Sequence, residues 1–200
     1  MELKPDTQVA YEQHTFEGAS YASSDLAHLE FYECTFLRCS FAGATLRDCR
    51  FVDCIFQDCD LSLASIPDCT FATTRFRDCQ LLGINWTEAS WPKRGLLRSV
   101  GFRHCALSHS TFLGLDLRGA NITDCVAHNV DFAEADLSGA NCSGTDFAQS
   151  HFLHTDLTQA DFVGAVNYAI APHLNTLKGT RFSLPEAMSL LHGLDIVLVE

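Results

Sequence analysis

Ten cysteines and nine histidines are the residues of this 200-residue chain best suited to chemistry. Thiolates and imidazoles together make zinc sites, and paired thiols make disulfides, so the run Cys34, Cys39, Cys49, Cys54, Cys59, Cys69 and Cys79 needs an explanation first. A zinc site needs four converging ligands, usually close cysteine pairs joined by histidine; these cysteines are instead separated by multiples of five, which is a beat and not a cluster. His104, His109 and His154 share one position of the same beat. Serine, histidine and aspartate are all present, but no Gly-x-Ser-x-Gly elbow and no glycine-rich phosphate loop accompanies them. The reading assigns no catalytic residue, no metal ligand and no cofactor.

The beat organises the whole chain. Every fifth residue from Phe16 to Trp91 is large and apolar, as in Phe31, Phe36, Phe41, Leu46, Phe51 and Phe56. After a slip of one residue near Pro92 the frame resumes at Leu97 and runs through Phe102, Phe112, Phe132 and Phe152 to Phe162, with Ala127 its one small member. Two residues before each large one stands a second inward position, filled in most repeats by Cys, Ala, Ser, Thr or Val. Nine of the ten cysteines, including Cys105 and Cys125, occupy it, and Cys142 takes a large position. Free cysteine packs there as a small apolar residue. Helices repeat every 3.6 residues and strands every two, so neither keeps a beat of five.

A second period appears at twenty. Phe16, Phe36, Phe56 and Phe76 recur at that interval, as do Phe112, Phe132 and Phe152. Four repeats therefore make one coil, and like side chains stack on like at about the 4.8 Å spacing of neighbouring strands. The expected fold is all-β, a square tube whose corners use glycine two residues after the large one, as at Gly114 and Gly139.

Boundaries follow from where the beat fails. Residues 1–15 are read as an N-terminal cap, 16–91 and 97–166 as repeat segments, and 92–96 as a bulge that absorbs the slip. Trp91, Pro92, Lys93 and Arg94 make this bulge a candidate partner-contact loop with a basic tip. Residues 167–200 are read as a C-terminal module: Ser183-Leu184-Pro185-Glu186 as a capping box, Ala187 to His192 as helix ended by Gly193, and Asp195 to Glu200 as a strand. A solenoid end needs a cover, and Leu190, Leu191, Ile196, Leu198 and Val199 suggest a second copy, hence a homodimer.

Charge narrows the partner. Thirteen basic and 25 acidic residues leave a net −12, which argues against direct nucleic-acid binding. Neither a signal sequence at Met1 nor an apolar run of membrane-spanning length is read, so a cytoplasmic protein without membrane contact is expected, with the sequons at Asn85, Asn121 and Asn141 incidental. Outward carboxylates twenty apart fall into columns: Asp48, Asp68 and Glu88; Asp58 and Asp78; Glu33 and Asp53; and Asp116, Asp136 and Asp156. Thirty repeats give roughly 36 Å of tube and one net negative charge per ~3 Å, against one per ~1.7 Å in duplex DNA. The columns read either as a face that imitates DNA or as a solubilising surface that discourages lateral pairing.

Ala-Asn-Ile-Thr-Asp at 120–124, Ala-Asp-Leu-Ser-Gly at 135–139 and Ala-Asp-Phe-Val-Gly at 160–164 resemble the repeats of the pentapeptide-repeat family. The resemblance implies a right-handed quadrilateral β-helix. Cys-Asp-Leu-Ser-Leu-Ala at 59–64, Leu-Gly-Ile at 82–84 and Ala-Met-Ser-Leu-Leu-His-Gly-Leu-Asp-Ile at 187–196 look like the quinolone-resistance type and its relatives that confer immunity to peptide-like gyrase poisons. That likeness implies a dimer that imitates DNA, binds DNA gyrase or topoisomerase IV and protects it from a poison. Quinolone-resistance proteins of Gram-negative bacteria usually carry two projecting loops, and this chain has one interruption, which moves the expectation toward immunity against another poison. The alternative is an interaction scaffold of the same fold with a different partner. For the cysteines the expected outcome is ten free thiols that react slowly until the protein is denatured. Thiol titration before and after denaturation checks it, and thiols missing from the denatured count would contradict the core assignment.

Overall fold

A computed structural model describes residues 9–91 and 100–194. Its strands are two to four residues long and all pair in parallel, each with the strand one coil away. Phe16 pairs with Phe36, Phe36 with Phe56 and Phe56 with Phe76, an offset of twenty at each step. Phe76 then pairs with Phe102, an offset of 26, and Phe102 with Ile122 restores twenty. The coil across the interruption thus holds six extra residues: a slip of one plus a whole further repeat. The result is the four-sided tube that the periodicity implied, and the right-handed quadrilateral β-helix that the family resemblance implied. Among the described residues the ladder runs from Tyr11, which stacks on Phe31, to Phe182, which pairs with Phe162, beyond the 16–166 span of the beat at both ends.

The inside is a filled column of rings. Phe36 and Phe56 stack with centroids 4.5 Å apart, Phe51 and Phe71 at 5.1 Å, and Phe112 and Phe132 at 5.3 Å. Rings of adjacent faces meet edge to face, as Phe31 does with Phe36 at 5.1 Å. Each such pair contributes about 0.5–1.5 kcal/mol beyond the area it removes from water. All described members of the large frame are buried except Trp91, which is half-buried. All ten cysteines are buried free thiols, as the beat predicts.

The small inward position does more than fill space. The carbonyl of a large residue is met by the side chain 23 residues later: Cys69 Sγ donates to Leu46 O at 3.1 Å, Thr74 Oγ1 to Phe51 O at 3.2 Å and Thr155 Oγ1 to Phe132 O at 2.9 Å. Where the group is a hydroxyl it also accepts. Thr145 Oγ1 takes the Cys125 amide at 3.2 Å while donating to Ile122 O at 2.6 Å, and Ser150 does the same between Val130 N and Ala127 O. Buried backbone groups left unpaired are costly, so these side chains stitch coil to coil. Cysteine is here a weak donor as well as a small apolar residue. Burial pushes the Cys54 thiol up to about 12, so it stays protonated and able to donate at neutral pH.

Corners impose a different demand. Thirty described residues take a positive φ, 21 of them not glycine, and all but Asn167 stand two residues after an inward large one. Glycine takes some of these corners, as its spacing in the sequence implies; the corners also hold Asp48, Asp53, Asp58, Asp68 and Asp78, since aspartate tolerates this backbone better than most side chains. The C-terminal module departs from expectation. Glu186–Leu194 is a 3-10 helix that runs through Gly193 instead of ending before it. No capping box forms, because the Ser183 hydroxyl accepts the Gly164 amide at 3.0 Å and is spent on the last coil. The expected strand at 195–200 lies outside the described residues.

Thr145→Val isolates the stitch, since Val100 and Val130 already occupy buried small positions. The substitution leaves one amide and one carbonyl unpaired, and a loss of about 1–3 kcal/mol is expected in chemical denaturation. An unchanged midpoint would make the position a matter of volume alone.

Candidate partner-binding surface

The tube is filled, so anything it does is done on its outside. Many of its carboxylates are of two kinds, set by where they stand in the repeat. One kind immediately precedes the large residue and caps the next turn with its own oxygen: Asp136 Oδ1 accepts the Ser138 amide at 3.0 Å, Asp156 Oδ1 that of Thr158 at 2.9 Å, and Asp131 Oδ1 that of Ala133 at 3.0 Å. Asn141 does the same with Ser143 at 3.1 Å, so the cap needs the oxygen and not the charge. The second kind sits on the corners and points outward.

Asp116, Asp136 and Asp156 do form one column, joined by parallel bridges. Their charge is partly met from within. Arg118 grips both oxygens of Asp116, at 2.8 and 2.7 Å, and lies 3.5 Å from Asp136; these carboxylates hold its guanidinium proton more firmly than usual. Asp146, on another face, is pushed up by burial, but hydrogen bonds from Asn167, His128 and the Ala148 amide outweigh this and bring its carboxyl below the ordinary range.

The corner column is less regular than its spacing suggests. Asp48 and Asp68 follow each other, with Asp48 Oδ2 3.1 Å from His28 Nδ1. Glu88 does not continue them outward. Trp86–Glu88 is a short 3-10 turn capped by Asn85, and the Glu88 carboxylate folds back to accept the Ser65 hydroxyl at 3.0 Å and the Ile66 amide at 3.3 Å. Asp53, Asp58 and Asp68 are exposed, and among the described residues no ion pair or hydrogen bond engages their carboxylates. Asp53 and Asp58 stand in columns in the sequence but carry no assigned role there; position two after the large residue was the available signal. His104 lies between Asp78 and Asp124 of one corner, 3.5 Å from each, while His109 and His154 are exposed at other corners.

Of the candidate loop, Trp91 turns inward. Its indole donates to Trp86 O at 2.8 Å and its ring lies 6.5 Å from Phe71, so it closes the coil below the interruption. Pro92, Lys93 and Arg94 lie outside the described residues. Of the candidate dimer residues, Leu190 packs against the end of the chain's own core and Leu191 is half-buried, while Ile196, Leu198 and Val199 lie outside the described residues. Exposed Leu184, Met188 and Leu194 stand at the same end. Among the described residues no helix is long and apolar enough to cross a membrane, and no group of three His, Cys, Asp or Glu is arranged to hold a metal.

A closed tube with its chemistry displayed on four flat faces is a β-solenoid, a class that works through surfaces. Family models agree on which one: a pentapeptide repeat region matches residues 29–100, and pentapeptide repeats in eight copies match residues 102–139 and 135–166. The chain belongs to the pentapeptide-repeat family. It resembles the crystal structure of HetL, a protein involved in heterocyst differentiation regulation from the cyanobacterium Nostoc sp. strain PCC 7120, with a TM-score of 0.69, 17% identity, and 86% of this chain and 84% of that one covered. It also resembles a trypsin-treated form of QnrB1, a plasmid-mediated fluoroquinolone resistance protein, with a TM-score of 0.56, 21% identity, and 97% and 93% covered. A second trypsin-treated QnrB1 structure gives a TM-score of 0.55 at 18% identity, with 96% of this chain and 100% of that one covered. No curated protein matches the chain by sequence.

The two kinds of carboxylate make separable predictions. Asp136→Asn keeps the cap oxygen and is expected to leave the melting temperature unchanged, whereas Asp136→Ala removes it and costs about 0.5–1.5 kcal/mol. Thermal melts of the two variants check this, and equal melts would show that the turn does not depend on the cap.

Proposed function

We propose that this protein binds a type II topoisomerase, DNA gyrase or topoisomerase IV, as a dimeric imitation of duplex DNA, and that it shields the enzyme from a topoisomerase poison. It works by binding and not by catalysis. The observation that carries the reading is an acidic rod whose carboxylates repeat at regular intervals along its length. Asp48, Asp53, Asp58 and Asp68 are the strongest phosphate substitutes, because they project from corners and are not spent on turn caps. Asp116, Asp136 and Asp156 contribute a second column whose charge Arg118 moderates. The structural likeness to QnrB1, a fluoroquinolone resistance protein, supports this choice of partner.

Half the charge density of DNA suits such a role. A groove built for phosphates would attract the rod, while free DNA would still compete at other sites. Dimerisation through Leu190, Leu191, Ile196, Leu198 and Val199 would double the rod, and Lys93 and Arg94 beside Trp91 and Pro92 would contact the poisoned complex. A second reading is a regulatory scaffold with another protein partner. The likeness to HetL, a protein involved in differentiation regulation, favours it.

A salt series of gyrase affinity tests the proposal. Binding is expected to weaken by about tenfold or more between about 50 and about 200 mM salt, and to compete with duplex DNA. Asp48→Asn, Asp58→Asn and Asp68→Asn combined should weaken binding without lowering the melting temperature. Absence of gyrase binding, or affinity indifferent to salt, would favour the scaffold.

A further inference from the structure

One face of the rod runs against its overall charge. It is the longest sheet, six parallel strands in the order Asn121–Thr123, Gly101–Arg103, Arg75–Arg77, Ile55–Gln57, Thr35–Leu37 and Thr15–Glu17. From Thr35 to Ser143 the outward positions of this face hold no carboxylate, although the chain as a whole carries 25 acidic residues. At its middle stand Arg75, Arg77 and Arg103, all exposed. Arg77 is the register partner of Arg103, and Arg75 is the partner of Gly101. Because Gly101 has no side chain, the surface dips there into a shallow groove of about 390 Å³, floored by both strands, extended by Asn121 and Asn141 and bordered at its corner edge by Asp124. Among the described residues no carboxylate pairs with any of the three guanidiniums. Four other arginines are paired, Arg38 with Glu17, Arg47 with Asp25, Arg118 with Asp116 and Arg181 with Asp161, while Arg50 stands singly on another face.

Like charges on neighbouring strands repel, so an unpaired Arg77–Arg103 couple costs stability unless something anionic meets it. We propose that this face binds a short acidic segment of a partner protein, laid extended over the sheet and along its strands, with carboxylates on alternate residues. Geometry favours that occupant. Alternate side chains of an extended strand are about 6.6–6.8 Å apart, the same interval that separates Arg75 from Arg77 along their strand, and Arg103 lies one strand spacing of about 4.8 Å away to complete a fork. Guanidinium grips carboxylate through two parallel hydrogen bonds, and Asn121 and Asn141 offer amide groups to the peptide backbone. A long polyanion fits worse. Asp58, Asp78 and Asp124 line the adjoining corner, and a duplex with one charge per ~1.7 Å would overrun the three arginines and meet them. This surface is independent of the acidic columns, so it stands whether or not the partner is a topoisomerase.

The test uses the full chain and a labelled octapeptide alternating glutamate and threonine, read by fluorescence anisotropy at about 20 mM salt. Saturable binding is expected, with none by the peptide alternating glutamine and threonine. Arg77→Gln with Arg103→Gln should weaken it by about tenfold or more while the circular dichroism melt stays the same or rises. Arg77→Glu with Arg103→Glu should instead bind a peptide alternating lysine and threonine. Lack of saturation at about 1 mM protein, or binding that the double glutamine variant leaves intact, overturns the proposal. Tighter, Arg77- and Arg103-dependent binding of a short DNA duplex would make the face a nucleic-acid surface and overturn it too. Light scattering that shows self-association lost in the double variant would assign the face to a second copy, with the same consequence.

Discussion

Each coil of this protein sits on the last at the spacing of hydrogen-bonded parallel strands, and that one dimension governs the rest. At about 4.8 Å a phenylalanine ring lies flat on another, so Phe36, Phe56 and Phe76 pile up on one face, and the same column goes on from Phe102 through Ile122 and Cys142, where any apolar group of fitting size fills it. The same spacing brings outward residues of successive coils into contact, whatever their charge. Inside, repetition is favourable because apolar rings attract. Outside, it multiplies charge.

Because backbone pairing runs along the tube axis, every coil also inherits its neighbour's unmet hydrogen bonds. The small inward residues answer this from within, as Cys69, Thr74, Thr145 and Ser150 donate to carbonyls one coil back. Aspartate and asparagine answer it from outside, by capping the turns that follow them. A carboxylate such as Asp136 thus serves the fold first and the surface second, while Asp53 and Asp58 at the corners are available to a partner. The distinction bears on function, since the charges that can be altered without cost to the tube are the ones a partner would read.

The rod is electrically two-sided. Its corners and one face carry the carboxylates that suit a phosphate-binding groove; its longest sheet carries Arg75, Arg77 and Arg103 in a stretch, Thr35 to Ser143, whose outward positions on that face hold no carboxylate. Net charge averages these and conceals both. A partner gripping the rod from one side would therefore meet a chemistry that depends on which face it approached.

Much of this was legible in the chain itself. Beats of five and twenty, read from residues such as Phe31, Phe51 and Phe71, imply four faces, a closed tube and buried cysteines, because a strictly repeating backbone makes distance along the sequence a proxy for distance in space. That proxy holds only while the repeat holds. Across the interruption a coil takes 26 residues, Trp91 turns inward and Glu88 folds back onto Ser65, none of which a frame slip of one could specify. At the C-terminus Ser183 is drawn to Gly164 and Gly193 stays within the 3-10 helix, so local capping signals yield to the packing of the last coil. Sequence alone determined the tube and what fills it, because a period fixes which residues are neighbours. Which carboxylates are spent, which arginines stand unpaired and how the beat is mended were decided by the tertiary structure, because those outcomes depend on the direction in which each side chain finds its nearest partner.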